Sequence, residues 1–198
     1  PHAENETLFW TKAASILGLP QEKMANSQVP LPRWRARRML RKLLRENLHG
    51  YSKPLRSQDD MFAAWTALVR SGDGVFVEKS PHHLYQPSAL ALMRRYAESA
   101  KEVDVRFIGL VRNPIDTLYS SWRRFGVRPE VEERHWIRAY SLLRDFHAER
   151  PDIVTLVRYE DLVADIPGTL GRLYEQLDLG DYAAIAPRVA EFCQAQRN

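Results

Sequence analysis

Two short stretches of the chain hold side chains whose types and spacing could do chemistry. The first is Glu78-Lys79-Ser80-Pro81-His82-His83, directly after the apolar run Val75-Phe76-Val77. A carboxylate at that position can take a proton from an acceptor hydroxyl or amine, and the neighbouring ammonium can stabilise charge on a group in transfer. The bland alternative is a surface Glu-Lys pair ahead of a proline turn. The adjacent His82 and His83 raise the question of a metal ion. Neighbours on an extended chain point apart, however, and no carboxylate or cysteine completes a ligand set, so no metal is expected.

The second stretch, residues 103–122, reads V-D-V-R-F-I-G-L-V-R-N-P-I-D-T-L-Y-S-S-W. It predicts a buried strand, a basic corner at Arg112-Asn113, and a helix with Pro114 in its first turn, where a missing N–H costs nothing. A helix N-terminus offers unpaired N–H groups and partial positive charge, and Arg112 adds a fork of donors suited to phosphate. Ser120 follows Arg112 by eight residues and could face the same anion from the helix. An arginine that caps a carbonyl or pairs with Asp116 is the competing reading. A weaker third signal is Val157-Arg158-Tyr159-Glu160-Asp161-Leu162, where Tyr159 at a strand end could meet a base and the acidic pair could cap the next helix.

These groups need elements to hold them. Apolar spacing predicts helices over 5–17, 33–48, 58–69, 87–99, 114–124, 129–149, 167–178 and 182–195, with strands at 75–77, 104–111 and 153–157. The sheet edge after 75–77 is where parallel sheets place ligands. Strands separated by helices imply parallel pairing, so the expected fold class is α/β, a parallel sheet flanked by helices in one domain over residues 1–198.

At 198 residues, 44% hydrophobic and 27% charged, the chain has the makeup of an ordinary globular protein able to bury a core. No apolar run approaches the ~20 residues that span a bilayer. A single cysteine, Cys193, excludes an internal disulfide and suits a reducing, cytoplasmic setting. The net charge of +4 suits an anionic ligand without demanding nucleic acid. The arginine-rich helix at 33–48 is the natural nucleic-acid candidate, yet its orderly apolar face (Ala36, Met39, Leu40, Leu43, Leu44, Leu48) favours a solvated outer surface.

Taken in order, V-E-K-S-P-H-H, R-F-I-G-L-V-R-N-P-I-D-T-L-Y-S-S-W and L-V-R-Y-E-D-L-V-A-D-I-P resemble the sulfotransferases that use 3′-phosphoadenosine 5′-phosphosulfate. The resemblance covers about residues 75–178 and implies a P-loop NTPase-like sulfotransferase fold. It implies that Arg112 and Ser120 bind the 3′-phosphate of this co-substrate and that Tyr159 lies by its adenine. It further implies that Glu78 deprotonates the acceptor with Lys79 near the sulfonate. Glu4 and Glu6 are rivals as base in one branch of the family, and His82 and His83 in another. The family's phosphosulfate loop of the K/R-S-G-T type is not in the sequence, and Ser71-Gly72 is no substitute because Asp73 would set a negative charge against the anion. Its strand and loop are expected upstream of Pro1, and a basic C-terminal loop beyond Arg197-Asn198. The acceptor, a small molecule, carbohydrate or peptide, would be chosen by residues 1–70 and 123–135. A nucleotide kinase, or a noncatalytic module binding through helix 33–48, is the alternative function.

Overall fold

The structure, a computed structural model, describes residues 6–23 and 29–195, so Glu4 and Arg197-Asn198 lie outside the described residues. The chain forms two compact units. One runs up to Val105 and takes in Glu130–Phe146; the other holds Arg106–Pro129 and the described residues from His147 on.

The first unit is helical. It contains α1 (Phe9–Leu17), α2 (Arg33–Asn47), α3 (Gln58–Val69), a 3₁₀ turn (Pro81–Tyr85) and α4 (Pro87–Ser99). It also holds most of the longest helix of the chain, which spans Pro129–Glu149. Its core is aromatic: the Trp10 ring lies 5.2 Å from Trp65, 5.4 Å from Tyr96 and 6.0 Å from Phe62, while Phe9 sits 4.7 Å from Trp65. Leu40, Leu44, Met61 and Leu92 fill the space around them. In α2 the buried positions are Ala36, Leu40 and Leu44, and every arginine on the helix lies outside that stripe, as its spacing predicts. Helix α3 starts on a capping box. The Asp60 N–H donates to Ser57 Oγ at 3.1 Å and the Ser57 N–H to Asp60 Oδ2 at 3.0 Å, so two orphan donors are satisfied reciprocally.

The second unit carries the sheet. Strand β1 (Phe107–Val111) pairs in parallel with β2 (Val154–Arg158), with Gly109 opposite Leu156. Each strand runs into a helix: β1 into α5 (Pro114–Phe125), and β2 into α7 (Tyr159–Ala164), after which α8 (Ile166–Gln176) and α9 (Ala186–Ala195) follow, the long helix Pro129–Glu149 being α6. Val157 packs on Leu173 and Leu177 of α8, the small core of this unit.

Four expectations change. Val75–Val77 forms no ladder with any described residue: Phe76 turns inward against Trp65, while Val75 and Val77 are 66% and 83% exposed. The alternation is that of extended chain, but an apolar run becomes a strand only when a neighbour takes its backbone hydrogen bonds. The sheet therefore has two strands among the described residues, not three. Second, β1 is not buried on both faces, since Ile108 and Leu110 are about half exposed; a pair of strands with helices packed on part of its surface cannot enclose a continuous apolar run. Third, Tyr159–Ala164 is a helical turn of its own, and the Asp165 carboxylate then caps α8 by accepting the Gly168 N–H at 2.9 Å. Residues 182–195 likewise divide into a 3₁₀ turn and α9. Fourth, His82 and His83 lie on a 3₁₀ turn rather than extended chain, because Pro81 supplies the fixed φ of a helical first residue. No helix among the described residues is long and apolar enough to cross a membrane.

Candidate functional site

Each unit holds one group of the chemistry-bearing residues. In the first, Glu78 is nearly buried, at 12% side-chain exposure, and is tied to the start of α1. The Thr7 hydroxyl donates to Glu78 Oε1 at 2.7 Å, and the Ser80 hydroxyl donates to the same oxygen. Those hydroxyls also accept from the helix: the Phe9 N–H bonds Thr7 Oγ1 at 3.1 Å and the Leu8 N–H bonds Ser80 Oγ at 3.0 Å. Two of the orphan N–H groups of α1 thus reach the carboxylate through a hydroxyl relay, and the positive end of the helix faces a negative charge. Leu8 holds a left-handed backbone (φ 48°) at this junction, a conformation unfavourable for a residue with a side chain.

Lys12 is buried behind this relay, where its Nζ donates to the Thr7 carbonyl at 2.6 Å. Burial pulls its pKa below the usual lysine value, and the Glu78 charge pulls it partly back. His83 is also buried. Its Nδ1 lies 2.8 Å from Thr11 Oγ1, and its Nε2 faces Glu78 Oε2 at 3.9 Å without a hydrogen-bond partner among the described residues. Burial first, then the neighbouring His82 and Lys12, push its pKa down to about 3, so the ring is neutral at pH 7.

Toward solvent, Glu6 gathers the remaining residues of the cluster. Its Oε1 lies 2.7 Å from Lys79 Nζ and its Oε2 3.3 Å from His82 Nδ1. The two histidines therefore diverge, His83 into the core and His82 to Glu6, and no three His, Cys, Asp or Glu side chains among the described residues group to hold an ion.

The second group stands at the β1–α5 corner. The Arg112 guanidinium lies over the Tyr159 ring, 4.7 Å from its centroid, a cation–π contact that joins the ends of the two parallel strands. Arg112 and Ser120 line one open cleft of about 450 Å³ with Asp116, Tyr119, Arg123 and Arg124. Asn113 fixes the corner. Its side-chain carbonyl caps α5 by accepting the Asp116 N–H at 2.9 Å, and its own N–H and side-chain amide donate to Glu160 at 2.8 and 3.0 Å. Those bonds hold the Glu160 carboxyl below its usual pKa. Glu160 therefore serves the corner beside it rather than only the first turn of α7. Asp116 in turn accepts the Asn113 side-chain amide through Oδ2 at 2.7 Å.

With the corner fixed in this way, a strand end, a helix start, an arginine and a serine share one basic cleft. The model of the Sulfotransferase family matches residues 15–183. The chain belongs to that family. Neither the curated proteins nor the solved structures gave a match. The sulfotransferase match takes in Glu78, Lys79, His82, Arg112, Ser120 and Tyr159, while Glu6, Thr7 and Lys12 precede it.

Sequence reasoning gave no individual role to Thr7, Thr11 or Lys12, named Asn113 only as part of the corner, and placed Arg123 and Arg124 only in the acceptor-selecting segment 123–135. For Lys12 a signal existed: it stands four residues from Leu8 and four from Ile16, so it shares the apolar stripe of α1, where an unpaired charge would be costly. Arg123 and Arg124 follow Ser120 by three and four residues, the spacing that puts side chains on one helix face.

Proposed function

We propose that this sulfotransferase moves a sulfuryl group from 3′-phosphoadenosine 5′-phosphosulfate to a hydroxyl or amine of a small-molecule, carbohydrate or peptide acceptor. The observation that carries the reading is the shared basic cleft of Arg112 and Ser120, with the Arg112 guanidinium on the Tyr159 ring. The residues fit a phosphate: a guanidinium fork, a hydroxyl and two further arginines surround a cleft wide enough for the group. Arg112 and Ser120 would bind the 3′-phosphate, and Tyr159 would support the arginine and border the adenine. When bound, the co-substrate supplies an activated sulfuryl group on a good leaving group.

On the acceptor side, Glu78 takes the proton. Its Oε1 is occupied by two hydroxyl donors, while Oε2 has no hydrogen-bond partner among the described residues and keeps its lone pairs for an incoming O–H or N–H. Glu6 is a poorer candidate because both its oxygens already face Lys79 and His82. Lys79, exposed and paired with Glu6, would stabilise charge on the sulfonate. His82, steered through Nδ1 by Glu6, would orient the acceptor.

Calorimetric titration of the full-length protein with adenosine 3′,5′-bisphosphate tests the reading. Binding of equal strength with magnesium and with a chelator is expected, since no metal is needed to neutralise a singly charged sulfuryl group. No binding would end the proposal, and a magnesium requirement would point to phosphoryl transfer.

A further inference from the structure

We propose that Thr7 and Lys12 form a charge clamp that positions Glu78 for proton transfer in a nearly buried site. This inference rests on the assignment of Glu78 as proton acceptor. Thr7 is bonded to both charges at once: its hydroxyl donates to Glu78 Oε1 at 2.7 Å and its carbonyl accepts Lys12 Nζ at 2.6 Å. One residue therefore holds a nearly buried carboxylate and a buried ammonium on its two polar groups. Charges taken out of water are favoured by a charge of opposite sign and by hydrogen bonds, and Thr7 supplies a bond to each.

The surrounding charges agree with this arrangement. Glu78 is the carboxylate that acts on Lys12, and the depressed pKa of Lys12 would fall further without it. His83, from the 3₁₀ turn, is neutral and adds no cation, whereas His82 and Lys79 engage Glu6 at the rim. Ser80 and Thr7 complete the clamp by carrying the N–H groups of Leu8 and Phe9 to Glu78 Oε1, which leaves Oε2 as the oxygen for chemistry. For the proton transfer, the acceptor O–H bond breaks as an O–H bond to Oε2 forms. The carboxylate charge is neutralised, the acceptor oxygen's electron pair would form the new O–S bond, and the S–O bond to the adenosine bisphosphate would break with its pair leaving on the 5′-phosphate oxygen. Lys12 and Thr7 touch neither substrate; they are positioning residues.

Two measurements test the clamp. The first needs no turnover: NMR titration of the Lys12 side-chain amine in the wild-type protein and in Glu78→Gln. The clamp requires the amine to titrate at lower pH in Glu78→Gln; identical titrations would show the charges uncoupled and overturn the proposal. The second uses sulfuryl transfer. Thr7→Val, which keeps the shape and removes the hydroxyl, should cut kcat about tenfold or more with acceptor KM nearly unchanged, and Thr7→Ser should restore it. Lys12→Met should likewise lower kcat with acceptor KM nearly unchanged. Loss of thermal stability in these variants with kcat intact would reduce Thr7 and Lys12 to packing and overturn the proposal. A wild-type protein without transfer activity would refute the sulfuryl-transfer reading alone, since the NMR titration still decides the clamp.

Discussion

The two groups of functional residues are built in opposite ways. The Glu78 cluster is rooted in a helical core, with Lys12, His83 and Thr11 buried and its hydrogen bonds running between segments about seventy residues apart in sequence, such as Thr7 to Glu78. The Arg112 corner is open: α5 buries none of its residues, and the corner is held by short polar bonds between two strand ends. The difference suits the two proposed tasks. A carboxylate that must take a proton gains from a water-poor, preorganised setting. A site for a multiply charged nucleotide gains from exposed arginines that draw the ligand in and release it.

If that contrast is right, damage to the first region should appear as lost stability and damage to the second as lost binding. The largest effect is expected at Trp10, which lies between Trp65, Tyr96 and Phe62. Trp10→Ala should cost about 3–5 kcal/mol in urea unfolding, enough to disorder the Glu78 cluster. A loss below ~1 kcal/mol would show that this core does not hold the cluster.

Acid should act on the same region next. His83 is neutral in the folded protein, with a pKa of about 3, whereas the unfolded chain protonates near the ordinary value of 6.5. The unfolded state therefore binds more protons between those two values, so stability present above about pH 6.5 is lost as pH falls toward 3. The loss approaches roughly 5 kcal/mol by pH 3, about 3 kcal/mol of it by pH 4, and should be much smaller in His83→Gln. Urea midpoints at pH 7 and pH 4 for both proteins measure it; equal acid sensitivity would remove His83 as the cause.

The smallest effect is expected at the corner itself. Asn113→Ala removes the α5 cap and one of the two bonds to Glu160, and should cost about 1 kcal/mol of stability. Its clearer signature should be weaker binding of adenosine 3′,5′-bisphosphate, because Arg112 then loses its fixed neighbour. Unchanged affinity would mean that the corner geometry does not matter to the ligand.

Legibility in the sequence follows the same divide. Helices α4 and α6 lie where their spacing predicts, and β1, the basic corner and α5 are within a few residues of expectation, because proline starts and apolar periods are local signals. Arg112 and Ser120 could be named for the same reason, since a strand, a corner and a helix occupy one short stretch, whereas Tyr159, at the end of the other strand, was a weaker signal on its own. The Glu78 cluster was only half legible. Glu78 and Lys79 stood out, but their partners Glu6, Thr7 and Lys12 come from a distant helix start, and no spacing rule joins residues so far apart. Val75–Val77 was misread as a strand because an apolar triplet does not reveal whether a neighbouring strand pairs with it.

The central claim is that the Arg112 corner binds the phosphate of a nucleotide. Its most direct test is calorimetry of adenosine 3′,5′-bisphosphate binding to the wild-type protein and to Arg112→Ala. The structure predicts a loss of about 1.5–3 kcal/mol, the worth of a hydrogen bond to a charged group, with thermal stability unchanged. Equal affinity in the two proteins would contradict it.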